Sequence, residues 1–176
     1  VAKSGRPTFL ANAINFTQPS GMTYGDADQS LTVSADGGTT VLTSVVTSVC
    51  TISDGAVHIV KAGTCKIKAT NAGDSDYKAA TAVIKTFTIA KAVQTITPSG
   101  VSAGANSLSV GAHDISATSN SGSAVSIVAS PSTVCSYSAA TGKLTIKKVT
   151  SSCTVTFRRV ATTNYLAATP VVATIN

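Results

Sequence analysis

The sequence predicts an all-β chain of two tandem sandwich domains, and three observations carry that prediction. The chain repeats itself: VCTISDGAVHIVKAGTC, residues 49–65, returns as VCSYSAATGKLTIKKVTSSC, residues 134–153, and a Tyr-x-Ala-Ala-Thr block follows each copy at Tyr77 and Tyr165. A period of about 85 residues is too long for a solenoid and suits a small sandwich that owns its core. Glu is absent while Thr, Val and Ser abound, a composition that fits half-buried pleated surfaces better than helices. Gly, Pro, Asn and Asp mark turns roughly every ten residues, the rhythm of short strands.

The elements follow in order. AINFTQ, residues 13–18, opens the first domain and breaks at Pro19-Ser20-Gly21, where Pro presets one dihedral and Gly permits another. After the Gly25-Asp26-Ala27-Asp28 turn comes LTVSA. Asp36-Gly37-Gly38 then reads as a hairpin turn before a long β-branched run over residues 39–51. Asp54-Gly55 is a second tight turn, dividing TIS from AVHIV, and Ala62-Gly63 divides that strand from TCKIKAT. The polar loop NAGDSD leads to Tyr77 and a closing strand, AVIKTFTIA. The second domain repeats the order: ITP, Ser99-Gly100, DISATS, the turn at Asn120-Ser121-Gly122, a run to Cys135, a hairpin at Thr141-Gly142 and a closing VVATI. About seven short strands per copy are the pattern of an immunoglobulin-like β-sandwich, with a single large barrel as the alternative that the repeat disfavours. The expected division is an extension or linker over residues 1–12, one domain over 13–92 and a second over 93–176. FTIAKAVQTIT crosses the boundary without a Gly, Ser or Pro spacer, so a short linker with limited freedom is expected.

Composition bounds the function. Hydrophobic residues make up 43% of the 176, yet aromatics are only 5% and Trp is absent, so each core is thin and small domains of this kind need a staple. Four cysteines can supply one bridge per domain. The net charge of +6 raises an anionic partner, but the lysines are scattered with no aromatic platform between them, which argues against nucleic acid. No apolar run reaches the roughly 18 residues of a membrane span, so no membrane insertion is expected. The chain starts at Val1 without a basic-then-apolar leader, and the expectation is that a signal peptide was removed or that a longer protein was cut.

Residues 23–35 (TYGDADQSLTVSA), the Cys50 block, the loop NAGDSDYKAAT and the boundary FTIAKAVQTIT together resemble the bacterial immunoglobulin-like repeats of large secreted and cell-surface proteins. The resemblance covers nearly all of both domains, with four motifs in the family's order. The second copy departs from it, with GAHD at the place of GDAD, extra residues near ANSLSVG and a longer stretch between its cysteines. The resemblance implies a spacer, stalk or adhesin module in tandem arrays, with neighbouring repeats as partners, no catalytic residues and no specified ligand. The chain ends in ATIN and begins with VAK, and the joined TINVAK echoes TIAKA at the internal boundary, as a piece of a longer array would.

Each candidate site has a structural alternative. Cys50 with Cys65 and Cys135 with Cys153 occupy equivalent places in the repeat, so pairing within each domain is expected among the three possible connectivities. A four-cysteine zinc site is the alternative, and it lacks any Cys-x-x-Cys pair. Disulfides place the chain in an oxidising, extracellular compartment. Asp26 with Asp28 and Asp74 with Asp76 could offer oxygens to calcium, but turn chemistry after Gly25 and Gly73 is preferred, because the second copy shows His113-Asp114 and Thr163-Asn164 instead. His58 falls on the outward face of its strand, matching Thr145, and His113 has no nucleophile motif near it, so no enzyme, metal or cofactor is expected. Tyr77 and Tyr165 are read as structural tyrosines locking the last loop, with glycan stacking as the alternative. Lys66 and Lys68 alternate with Cys65 and Ile67 and so form a solvated face. A Lys–Asn isopeptide cross-link is disfavoured, since without Glu only an Asp could assist it. The functional expectation is a structural or adhesive tandem module. The alternatives are a subunit of an extracellular filament, joined by strand addition through FLANAINF or the last strand, and a module binding a surface glycan or protein.

Overall fold

The computed structural model describes residues 8–176 and contains eighteen strands and no helix among them. The first seven residues of the expected extension lie outside the described residues. Two compact units divide the chain, residues Val1–Ala92 and Val93–Asn176. Unit 1 holds β1 (Ile14–Phe16), β2 (Met22–Thr23), β3 (Gln29–Ser30), β4 (Val33–Ala35), β5 (Thr40–Ser44), β6 (Cys50–Ser53), β7 (Ala56–Ile59), β8 (Gly63–Asn71) and β9 (Ala80–Ala90). One sheet runs β2-β9-β8-β5 and the other β3-β7-β6, while β1 pairs antiparallel with β4 and β2 pairs parallel with β9.

Unit 2 repeats every step with β10 (Ile96–Ser99), β11 (Gly104–Asn106), β12 (Gly111–Asp114), β13 (Ser116–Ser119), β14 (Ser126–Ser130), β15 (Cys135–Ser138), β16 (Lys143–Ile146), β17 (Cys153–Arg158) and β18 (Val171–Ile175). Its sheets run β11-β18-β17-β14 and β12-β16-β15, with β10 on β13. A four-stranded and a three-stranded sheet, with the edge strand β3 or β12 of the latter continuing as β4 or β13 to pair with β1 or β10, is the immunoglobulin-like sandwich in both units.

Alternation explains the cores. In β8, Cys65, Ile67 and Ala69 are fully buried while Thr64 and Lys66 face out, and β17 does the same with Cys153, Val155 and Phe157. Phe16, Met22, Val57, Phe87 and Ile89 complete the first core, and Ile115, Leu144, Ile146, Ala173 and Ile175 the second. The Asp54-Gly55 turn closes the β6–β7 hairpin with φ of 48° and 75°, the left-handed pair that a two-residue type I′ turn requires.

Three sequence expectations need correction. Asp36-Gly37-Gly38 is not a hairpin, because β4 pairs with β1 while β5 pairs with β8: the turn carries the chain from one sheet to the other. The run over residues 39–51 is two strands, β5 and β6, separated by a turn in which the Val49 and Cys50 amides donate to the Val46 carbonyl. GAHD does not take the place of GDAD, since the ladders set Gln29 opposite Val57 and His113 opposite Leu144, which makes His113 the counterpart of Gln29.

Candidate functional site

Both cysteine pairs are disulfides. Cys50 bonds to Cys65 with Cα atoms 5.7 Å apart, and Cys135 to Cys153 at 5.9 Å. In each unit the first cysteine opens a strand of the three-stranded sheet and the second lies in the four-stranded sheet, so the bond ties the two layers through the core. All four are at most 1% exposed.

The richest polar cluster of unit 1 gathers where the β4–β5 and β8–β9 loops meet. Asn71, 4% exposed, accepts the Gly73 amide at 2.7 Å and donates to Thr40 Oγ1 at 3.2 Å. Asn12 donates from Nδ2 to the Gly37 carbonyl, the Lys78 carbonyl and Asn71 Oδ1, all within 3.1 Å. Asp74 accepts three amides, from Asp76 and Tyr77 at 2.9 Å and from Gly38 at 2.7 Å. The Asp76 amide first, then that of Tyr77, and last that of Gly38 hold its carboxyl below the ordinary 3.8, with desolvation opposing. The half-buried Tyr77 ring lies against Gly37, where a Cβ would fall 2.2 Å from a ring carbon, so only glycine admits the ring there. Leu10, read from the sequence as part of an extension, is bonded into this loop: its amide donates to the Asp76 carbonyl and its carbonyl accepts the Lys78 amide.

Unit 2 builds the same clasp from other side chains. Gln94, 2% exposed and two residues before Ile96 as Asn12 is before Ile14, takes the Asn12 position. With its amide oxygen toward Ser121 Oγ, its nitrogen donates to the carbonyls of Val160 at 3.2 Å and Leu166 at 2.9 Å. Asp36 accepts the Ala13 amide at 2.9 Å, and Asn120 accepts the Thr95 amide at 3.0 Å in its place. Thr162 stands for Asp74: its Oγ1 accepts the Tyr165 amide at 3.1 Å, and its own amide donates to the Tyr165 carbonyl at 2.9 Å. The aligned pair is therefore Thr162 and Asn164, one residue earlier at its start than the sequence comparison placed it. Asn12 and Gln94 are what sequence reasoning missed.

The remaining candidates are dispersed. Asp26 accepts its own turn's Thr23 amide at 2.6 Å, while Asp28 pairs with the outward His58 at 3.0 Å. His113 Nε2 meets the Ser109 carbonyl at 2.8 Å, and Asp114 pairs with Lys143 at 2.8 Å. Lys66 is exposed and Lys68 half-buried on the outer row of β8. Among the described residues no three His, Cys, Asp or Glu side chains converge, and no helix is long and apolar enough to cross a membrane. Two shallow depressions of about 240 and 370 Å³ are lined by Ser, Thr, Gln and small apolar residues, without a charged side chain.

No protein-family model matches the chain, and no curated protein does. Solved structures similar to it include Drosophila N-cadherin EC1-3, 11% identical over 95% of this chain and 67% of that one, with a TM-score of 0.34. Domains 1-6 of the surface layer protein SbsC are 14% identical over 94% of this chain and 27% of theirs, with a TM-score of 0.37. A C-terminal intimin fragment, solved with the intimin-binding domain of the translocated intimin receptor, is 17% identical over 78% and 51%, with a TM-score of 0.33. At these scores the likenesses add nothing to the strand order already described.

Proposed function

We propose that the chain is a non-enzymatic pair of immunoglobulin-like modules, a stalk or spacer with an adhesive role in a bacterial cell-surface or secreted protein. One observation carries this reading. The polar side chains gathered at the loop end of each unit are spent on its own backbone: Asp74 on three amides, Asn12 and Gln94 on carbonyls, Thr162 on the Tyr165 turn. Such a constellation rigidifies a loop and leaves no group poised for proton transfer or nucleophilic attack. The two disulfides support an oxidising, extracellular setting. Neighbouring repeats are the partners of such a module. The filament reading, by donation of the N-terminal segment, is weakened by Leu10, which already pairs within its own chain.

The test has two arms. Non-reducing peptide mapping of protein taken from its native compartment should return both bonds, and four free thiols would overturn the extracellular placement. The isolated chain on a glycan array should give no saturable signal. A saturable one would make it a recognition module instead of a spacer.

A further inference from the structure

Both four-stranded sheets end on a strand whose outer edge is open. The Val45 amide donates to the Lys66 carbonyl at 2.8 Å, so Val41, Thr43 and Val45 turn their backbone toward β8 while Leu42 and Ser44 turn theirs outward. Among the described residues β5 pairs with β8 alone, and no further backbone bond is made by Leu42 or Ser44. Edges of this kind are ordinarily blunted by Lys, Pro or a bulge. None is present in β5, and residues 37–53 contain no charge at all. Unpaired amides and carbonyls in a row select one kind of occupant, an extended strand.

The side chains select which strand. The outer face of β5 and the residue that follows it present Val41, Thr43 and Val45, all exposed, the two valines at 54% and 51%. This order, Val-Thr-Val, is the same in both directions. Two copies of β5 laid antiparallel about a two-fold axis at Thr43 set each Val41 against the other copy's Val45 and each Thr43 against its counterpart. Leu42 and Ser44 then form the hydrogen-bonded pairs. Opposite β-branched residues at such non-hydrogen-bonded positions approach closely and stabilise the pairing. Lys68, beside Thr43 on β8, is no obstacle: the two Lys68 strands would stand three strand spacings apart, about 14 Å, beyond a physiological Debye length. The equivalent edge β14 presents Ser126, Val128 and Ser130, which also matches itself, but crossing the two edges would set valines against serines.

We propose that the β5 edge is a self-association surface whose occupant is the β5 edge of a second copy of this chain, joining two four-stranded sheets into one of eight. The inference goes beyond the spacer role and does not rest on it. A five-residue contact is small, so the association is weak and belongs to copies held at high local concentration.

Sedimentation equilibrium of the intact chain tests it. The weight-average mass should climb from monomer toward dimer between about 10 μM and 1 mM. Thr43→Lys sets like charges face to face at the axis and should weaken association at least tenfold. Thr43→Asp should do the same, and an equimolar mixture of the two variants should restore wild-type association. Melting curves and intact disulfides check that each variant folds, and Asp at position 43 faces Lys68 favourably within its own sheet. A wild-type chain monomeric at 1 mM would overturn the proposal, as would unchanged association of folded Thr43→Lys. Loss of association in Val128→Lys instead would move the contact to β14 and overturn the β5 assignment. Any of these failures leaves the glycan and disulfide tests of the spacer role untouched.

Discussion

The loop end of unit 1 and that of unit 2 hold the same backbone shape with different chemistry. Asn12, Asp36 and Asp74 in the first become Gln94, Asn120 and Thr162 in the second, and Gly37 becomes Ser121. What persists is the set of backbone groups to be satisfied, because a buried amide or carbonyl left unpaired costs more than a bond to any particular partner contributes. The identity of the side chain that supplies the bond is free to vary, and so is its charge. Carboxylates in the first unit are therefore devices for closing turns. The comparison also explains why the Asp74 carboxyl is held below its ordinary value without belonging to any site.

Five experiments break or sharpen that comparison. The largest effect should come from Cys50→Ala with Cys65→Ala, or Cys135→Ala with Cys153→Ala, since opening a loop of this size costs about 3 kcal/mol in the chain-entropy model. In calorimetry each pair should lower only its own unit's transition, by roughly 12 to 24 °C for a domain of this size. Next come the clasps. Gln94→Ala removes a buried partner of three groups and should cost about 2 to 3 kcal/mol, with the less buried Asn12→Ala nearer 1 to 2, both read by urea unfolding.

Gly37→Ala should displace the Tyr77 ring and destabilise unit 1 by about 1 to 3 kcal/mol. Ser121→Ala adds no atoms and should lose the hydroxyl's bonds to Gln94, Ser119 Oγ and the Ser123 amide, about 1 to 2 kcal/mol. Acid should separate the units further. The Asp74 carboxyl is held below 3.8 in the folded chain, so its contribution is complete above that unfolded value and is lost as pH falls through the depressed one. Unit 1 should thus melt progressively lower below about pH 4, and Asp74→Thr, which copies Thr162, should flatten that part of the dependence. Calcium should have the smallest effect: melts with calcium and with chelator should coincide, and a rise confined to unit 1's transition would reveal an ion site in that unit.

Much of the fold is readable because it is local. Alternation in VHIV and KIKA fixes which residues of β7 and β8 face in, and Asp54-Gly55 is a turn signal whose geometry follows from two left-handed residues. The cysteine bonds follow from equivalence within the repeat. What escapes is the choice of sheet. Asp36-Gly37-Gly38 announces a turn, but nothing within a few residues of it says that β5 must leave β4 for β8, since the partner lies about 25 residues downstream. The clasp escapes for a related reason. Asn12 and Gln94 sit at one repeat position but differ in length, and the register between Asp74 and Thr162 depends on placing a gap that only the paired strands reveal. A polar amide two residues before the opening Ile of each copy was the available signal.

Each disulfide also encloses an exposed stretch of its unit. The Asp54-Gly55 turn lies between Cys50 and Cys65, and the exposed Lys147 and Lys148 lie between Cys135 and Cys153. A protease reaching either tip would cut the backbone without parting the molecule, since both new ends stay tethered through the core. For a protein exposed to proteases, a nick at either of these exposed places does not sever the chain.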